Sequence, residues 1–153
     1  MVRKMTILDY DAVWNLWQDT PNLGLRNLDD SREGIARFLC RNPETCFVAE
    51  ENGSLLGVIL CGHDGRRGYI YHTVVRPDNR RKGIGASLVE QAVEALRAEG
   101  ITRVCLNIME TNEVGGEFWT RLGWERKDFL GFYSRGITDE ENRPLFEVSD
   151  ATK

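Results

Sequence analysis

Residues 69–100 read YIYHTVVRPDNRRKGIGASLVEQAVEALRAEG, and their periodicity changes partway along. Tyr69 to Val75 is aromatic and β-branched, the composition of a strand packed on both faces. Pro77, Asp78 and Asn79 break it, because proline ends pairing and Asp and Asn favour turns. From Ile84 the apolar residues recur at Leu88, Val89, Ala92, Ala95 and Leu96, which is one face of a helix, and Gly100 closes it. The junction between strand and helix is Arg80-Arg81-Lys82-Gly83-Ile84-Gly85-Ala86. Its glycines expose backbone N–H groups, and the first turn of a helix leaves such donors unpaired at the positive end of the dipole. Three cations precede them. The junction therefore suits an anion such as a pyrophosphate.

A phosphate loop would need Gly-Lys followed by Ser or Thr, and Lys82-Gly83 has the reverse order. A dinucleotide fingerprint would need a third glycine where Leu88 stands. A basic turn kept for solubility is the plainer alternative. The pattern that fits is R-x-x-G-x-G after a strand ending Val-Val-Arg-Pro, and it resembles motif A of the GNAT superfamily of acyl-CoA N-acyltransferases. A second piece, Asn112-x-x-Gly115-x-x-Phe118-Trp119-x-x-x-Gly123-Trp124, is similar to the family's N-x-x-A-x-x-F-Y-x-x-x-G-F with several substitutions. The resemblance covers roughly residues 6–136. Through GHDGRRGYIYHTVVRP it is nearest to small bacterial acetyltransferases of unassigned acceptor. It implies an α/β (α+β) fold: a central mixed, mostly antiparallel sheet flanked by about four helices.

The whole chain fits one domain. Its 153 residues, 41% hydrophobic and 29% charged, suffice for a sizeable core. Residues 1–137 read as a single domain and 138–153 as an acidic tail. Neither a long apolar run nor an apolar h-region after MVRKMTILDYD is present, so the expected location is cytoplasmic and no membrane partner is expected. Cys40, Cys46, Cys61 and Cys105 lack metal-ligand spacing and read as free thiols, with no metal site. A regulatory bridge between Cys40 and Cys46 is the alternative. The net charge of −4 argues against nucleic acid as a partner, despite the basic patch at residues 76–82.

In chain order, Thr6 to Asp9 finishes a first strand begun near Arg3, and Asp9 or Asp11 caps a helix bearing Val13, Leu16 and Trp17. A second helix starts at Asp30-Ser31, where Asp30 and Glu33 have capping-box spacing, presenting Ile35, Phe38 and Leu39 and ending before Asn42-Pro43. Strands follow from Cys46 and from Leu55 around an Asn52-Gly53 turn, with His63 solvated in the next turn. Arg103 to Ile108 reads as a further strand, Asn112 starts a helix, and Trp124 opens a last strand or strand pair reaching Ile137.

The resemblance also implies chemistry. An acetyl group would pass from acetyl-CoA, as acyl donor, to a primary amine of a small molecule or protein; a homodimer is one assembly to expect. Val74 and Val75 would pair with the pantetheine arm, and Arg80, Arg81, Lys82, Gly83, Ile84, Gly85, Ala86 and Ser87 would hold the pyrophosphate. Asn112 and Trp119 would touch the cofactor. Many relatives carry tyrosine where Trp119 stands, as the acid that protonates the leaving thiolate. Indole is no acid in this range. Either the thiolate leaves unaided or another phenol serves, Tyr133 or Tyr71; Trp119 otherwise reads as packing. An amine with a pKa near 10.4 must first lose a proton, and His72 on the central strand titrates usefully. By strict alternation Tyr71 and Thr73 face away from it. Glu110 is a second candidate base. Substrate contacts are expected from the loop 20–29, where Trp17, Leu23, Leu25 and Arg26 would form an apolar wall with one cation. A non-catalytic acyl-CoA-binding module is the alternative function, and a nucleic-acid binder a distant third.

Overall fold

The computed structural model describes residues 1–146. Strands β1 (Val2–Lys4), β2 (Phe47–Glu51), β3 (Ser54–His63), β4 (Gly68–Val75) and β5 (Val104–Leu106) lie in sequence order in one sheet. Helices α1 (Tyr10–Gln18), α2 (Arg32–Arg41), α3 (Ile84–Ala98) and α4 (Glu113–Arg121) flank it. The first four strands are antiparallel; β4 and β5 are parallel, which needs a long connection, and α3 supplies it.

Alternation along the central strands sorts the core into two layers. Val48, Val58 and Leu60 pack with Trp17 of α1 and Ile35 of α2, while Phe47, Ile59 and Ile70 pack with Leu88 and Leu96 of α3. A sheet covered on both faces wants apolar residues at almost every position, and β3 supplies them. Cys46 and Cys61 sit in opposite layers, where burial pushes each thiol up to about 12. All four cysteines are free, as their spacing predicts.

Several boundaries differ from expectation. The first strand stops at Lys4, and Thr6 instead caps a 3-10 turn at Ile7–Asp9: the Asp9 carboxylate accepts the Thr6 N–H at 2.8 Å, and the Thr6 hydroxyl accepts the Leu8 N–H at 3.3 Å. Ser31, not Asp30, caps α2 by accepting the Gly34 N–H at 3.0 Å. No strand follows Leu106 among the described residues. Residues 124–137 have strand-like composition, but a strand needs a partner edge, and here Phe129, Tyr133 and Ile137 are exposed without one. Residues 141–145 of the tail are docked: Asn27 N–H donates to the Arg143 carbonyl at 3.1 Å and Leu145 N–H to the Leu25 carbonyl at 2.9 Å. His63 is not merely solvated, since its Nε2 lies 2.6 Å from Glu99 and ties the β3–β4 turn to the end of α3.

The feature that matters most is a bulge in β4. Ile59 pairs with Thr73 and Cys61 with Ile70, so Leu60 alone stands opposite both Tyr71 and His72. The two side chains therefore share a face, against strict alternation. The Tyr71 ring meets Phe38 of α2 edge-on at 5.6 Å, and the His72 ring meets Trp17 of α1 edge-on at 4.9 Å.

Candidate active site

Two neighbouring regions meet along β4. On the first side the sheet opens. β5 pairs with β4 only from Gly68 to Ile70, which leaves the rest of β4 without a neighbour on that edge. The Arg76 N–H donates to the Leu56 carbonyl of β3 at 2.8 Å. By the two-residue alternation of an antiparallel pair, the peptide groups of Val74 also face β3, and those of Thr73 and Val75 face the opening. The Val75 carbonyl there accepts from Arg80 Nε at 3.1 Å. Of the two valines predicted to hold an extended arm, Val75 has the free edge and Val74 does not.

Beyond the opening stands the start of α3. Gly83 takes φ +82 at the N-cap, a left-handed conformation that side chains resist, and a Cβ there would meet open space. The first bond of the helix runs from the Ser87 N–H to the Gly83 carbonyl, so the N–H groups of Ile84, Gly85 and Ala86 precede the ladder. No acid lies in this turn, and Arg81 and Lys82 have no ion-pair partner among the described residues. Gly85 has a packing role beside its open N–H: a Cβ on it would lie 3.1 Å from the Phe118 ring of α4, so its absence serves helix packing. Asn112 uses its side-chain oxygen to cap α4, accepting the Gly115 N–H at 2.9 Å. Trp119 is core, 8% exposed between the rings of Phe118 and Trp124.

On the other side, the bulge and α2 border a cavity of about 580 Å³. His72 lies in its wall with Nε2 2.6 Å from the Asp30 carboxylate. Asp30 is 5% exposed; its second oxygen accepts the Arg26 N–H at 2.7 Å and its carbonyl accepts the Tyr10 hydroxyl at 2.8 Å. These bonds fix the carboxylate, which in turn fixes the imidazole. A His72 tautomer donating Nε2–H to Asp30 leaves Nδ1 as a lone-pair acceptor, the form a general base needs.

The remaining predicted residues are divided between the cavity wall, the core and the surface. Tyr133 is 94% exposed in the segment after α4 and does not border the cavity. Glu110 pairs with Arg126 at 2.8 Å on the surface. Arg26 lines the cavity, but its guanidinium donates to the Asn142 carbonyl, and Trp17 and Leu25 are core. Tyr71 does border the cavity, and burial, with Tyr69 and Asp29 nearby, holds its phenol above the ordinary tyrosine value. Sequence reading missed Asp30 as the partner of His72, having taken it for a helix cap. It also passed over Arg37 and Arg41, which line the same cavity. Asp30 next to the true cap, Ser31, left its carboxylate without a local task, and that was the available signal.

The sequence model described as "Acetyltransferase (GNAT) family" matches residues 10–124. The chain belongs to the GNAT acetyltransferase family. It is 33% identical over 133 residues to an acetyltransferase of Pectobacterium atrosepticum, covering 87% of this chain and 93% of that one. An acetyltransferase of Yersinia pestis (strain Pestoides F) is 32% identical over the same shares. Among solved structures, the PaiA N-acetyltransferase of Thermoplasma acidophilum in complex with coenzyme A matches with TM-score 0.73 at 20% identity, over 86% of this chain and 92% of that one. AAC(6')-Iy in complex with a bisubstrate analogue matches at 0.69 and 16% identity, over 90% and 98%. At such identities the two structures speak for the GNAT fold alone.

Proposed function

We propose that this GNAT acetyltransferase moves an acetyl group from acetyl-CoA to a primary amine. The observation that carries the reading is the meeting, along one strand, of an anion cradle, an unpaired strand edge and a carboxylate-held histidine. The cradle fits a pyrophosphate, with open first-turn N–H groups, Arg81 and Lys82 at the positive end of α3. The edge at Thr73 and Val75, on which only the Val75 carbonyl has a bond, from Arg80, fits an extended amide-bearing arm, which hydrogen-bonds as an added strand would.

When bound, acetyl-CoA supplies an activated thioester: the new N–C bond forms at its carbonyl carbon as the C–S bond breaks and the thiol leaves. The chain's residues orient and move protons. His72 Nδ1 takes the proton from the incoming amine, and Asp30 holds Nε2–H and stabilises the imidazolium. The bulge at Tyr71 and His72 turns the imidazole toward the α1–α2 layer, where the cavity gives an amine room beside β4. Holding the two reactants at that place is the largest expected contribution, roughly 7–11 kcal/mol in favourable cases. The indole of Trp119 cannot act as an acid, so thiolate departure rests on the thiol's own acidity, with a pKa of about 8.5 for cysteine-like groups.

Free-thiol release from acetyl-CoA, measured over a panel of primary amines, tests this. Amine-dependent thiol release is the expected result. Tight acetyl-CoA binding without turnover of any amine would leave a binding module instead.

A further inference from the structure

The cavity beside His72 carries charges of both signs in an ordered arrangement. Gly34, Arg37, Phe38 and Arg41 line it at i, i+3, i+4 and i+7, one face of α2. At the α2 start, the missing side chain of Gly34 lets the backbone of Leu28 and Asp29 pass close; a Cβ there would sit 2.4 Å from both carbonyl oxygens. That contact brings Asp29 and the Asp30–His72 pair to the first turn of the helix. Arg37 and Arg41 follow three and seven residues on, about 5 and 10 Å along the axis. The cavity thus has one end bearing Asp29, Asp30 and His72, with the Arg26 guanidinium turned to the Asn142 carbonyl, and another bearing Arg37 and Arg41.

The two guanidiniums are exposed at the rim of the cavity and stand outside the salt-bridged surface around them. Arg32 on the same helix pairs with Asp11, whereas Arg37 and Arg41 have neither an ion pair nor a hydrogen bond among the described residues. They stand one turn apart, close enough to share one carboxylate. The chain carries net charge −4, so a pair of free cations lining a cavity runs against the overall field. Between the two ends, the Tyr71 and Phe38 rings provide an apolar wall.

Resting on the transferase reading above, we infer that the acceptor is a small amine that also carries a carboxylate several bonds from the nitrogen. Its amino group meets the Asp29 and Asp30–His72 end, and its carboxylate meets Arg37 and Arg41. Polyamines, which lack an anion, are disfavoured by the same cations.

Thiol release is measured with L-glutamate, L-glutamine and spermidine, the first two differing only in the distal carboxylate. The expected result is a kcat/KM at least about tenfold higher for glutamate than for glutamine, the worth of one charge-assisted contact. In the Arg37→Gln/Arg41→Gln double variant that ratio falls to about one, while the KM for acetyl-CoA changes less than about twofold. Equal kcat/KM for the two acceptors in the parent protein, or a preference that survives the double variant, overturns the inference. Calorimetry of L-glutamate into the coenzyme A-loaded protein separates the two readings. Binding lost in the double variant sustains this inference even if no amine is acetylated, and that failure would count against the transferase reading. Absence of glutamate binding to the parent protein overturns the inference outright.

Discussion

The two sides of β4 are built in opposite ways. The opening and the turn into α3 occupy one continuous stretch, residues 71–87, whose donors are backbone groups placed by local conformation. The cavity on the other side draws Asp30 from a loop, Arg37 and Arg41 from α2 and His72 from the bulge, and Asn142 of the tail is hydrogen-bonded to the loop residues Leu28 and Asp29. The pair teaches that a backbone cradle survives as a motif, while a side-chain pocket exists only once distant segments meet. Donor recognition and acceptor recognition should accordingly fail separately under mutation.

The largest effect is expected at the proposed base, His72. His72→Gln should lower kcat/KM for any accepted amine about 100-fold or more and remove the acidic limb of its pH profile, with acetyl-CoA binding unchanged. A profile that keeps its limb would return His72 to a packing role against Trp17.

The cradle comes next. Gly83→Val forces a β-branched residue into φ +82, where strain of about 1–3 kcal/mol is expected, and should weaken acetyl-CoA binding about tenfold in calorimetry. Gly85→Val sharpens the contrast: its clash is with the Phe118 ring, so a lowered melting temperature should accompany any affinity loss. Equal losses of acetyl-CoA affinity in the two variants would erase the distinction between a cradle glycine and a packing glycine.

A smaller effect isolates the acceptor side. The Asn142 amide donates to Asp29 at 2.8 Å, and its oxygen accepts the Leu28 N–H at 3.4 Å. Asn142→Ala should raise the acceptor KM about three- to tenfold, near 1 kcal/mol, and leave the acetyl-CoA KM alone. A change in both constants would mean that the tail supports the whole domain and not the loop.

The smallest concerns stability away from both regions. Burial pushes the Asp9 carboxyl up, but the Arg3 guanidinium at 2.8 Å and the Thr6 N–H outweigh it and hold it below the ordinary value. A depressed carboxylate stabilises the fold above its unfolded pKa, and that contribution is lost as pH falls through the folded value. Asp9→Asn should therefore cost under about 1 kcal/mol at neutral pH, after solvent screening, and flatten the stability profile below about pH 4 in denaturant titrations.

By itself the sequence determined the fold class, the strand–turn–helix from Tyr69 to Gly100, the Asn52-Gly53 hairpin and the free thiols, because each follows from short-range periodicity or turn chemistry. It also marked His72. Only the tertiary structure decided that Tyr71 and His72 share a face, since a bulge is set by the partner strand's register and alternation cannot reveal it. It decided that Val75 and not Val74 has the open edge, that Asn112, Gly85 and Trp119 hold helices together, and that Tyr133 stands apart. Asp30 shows the reason most plainly. Its local neighbours suggest a helix cap, yet its carboxylate answers to a histidine 42 residues away, and only packing of loop, helix and strand brings them to 2.6 Å.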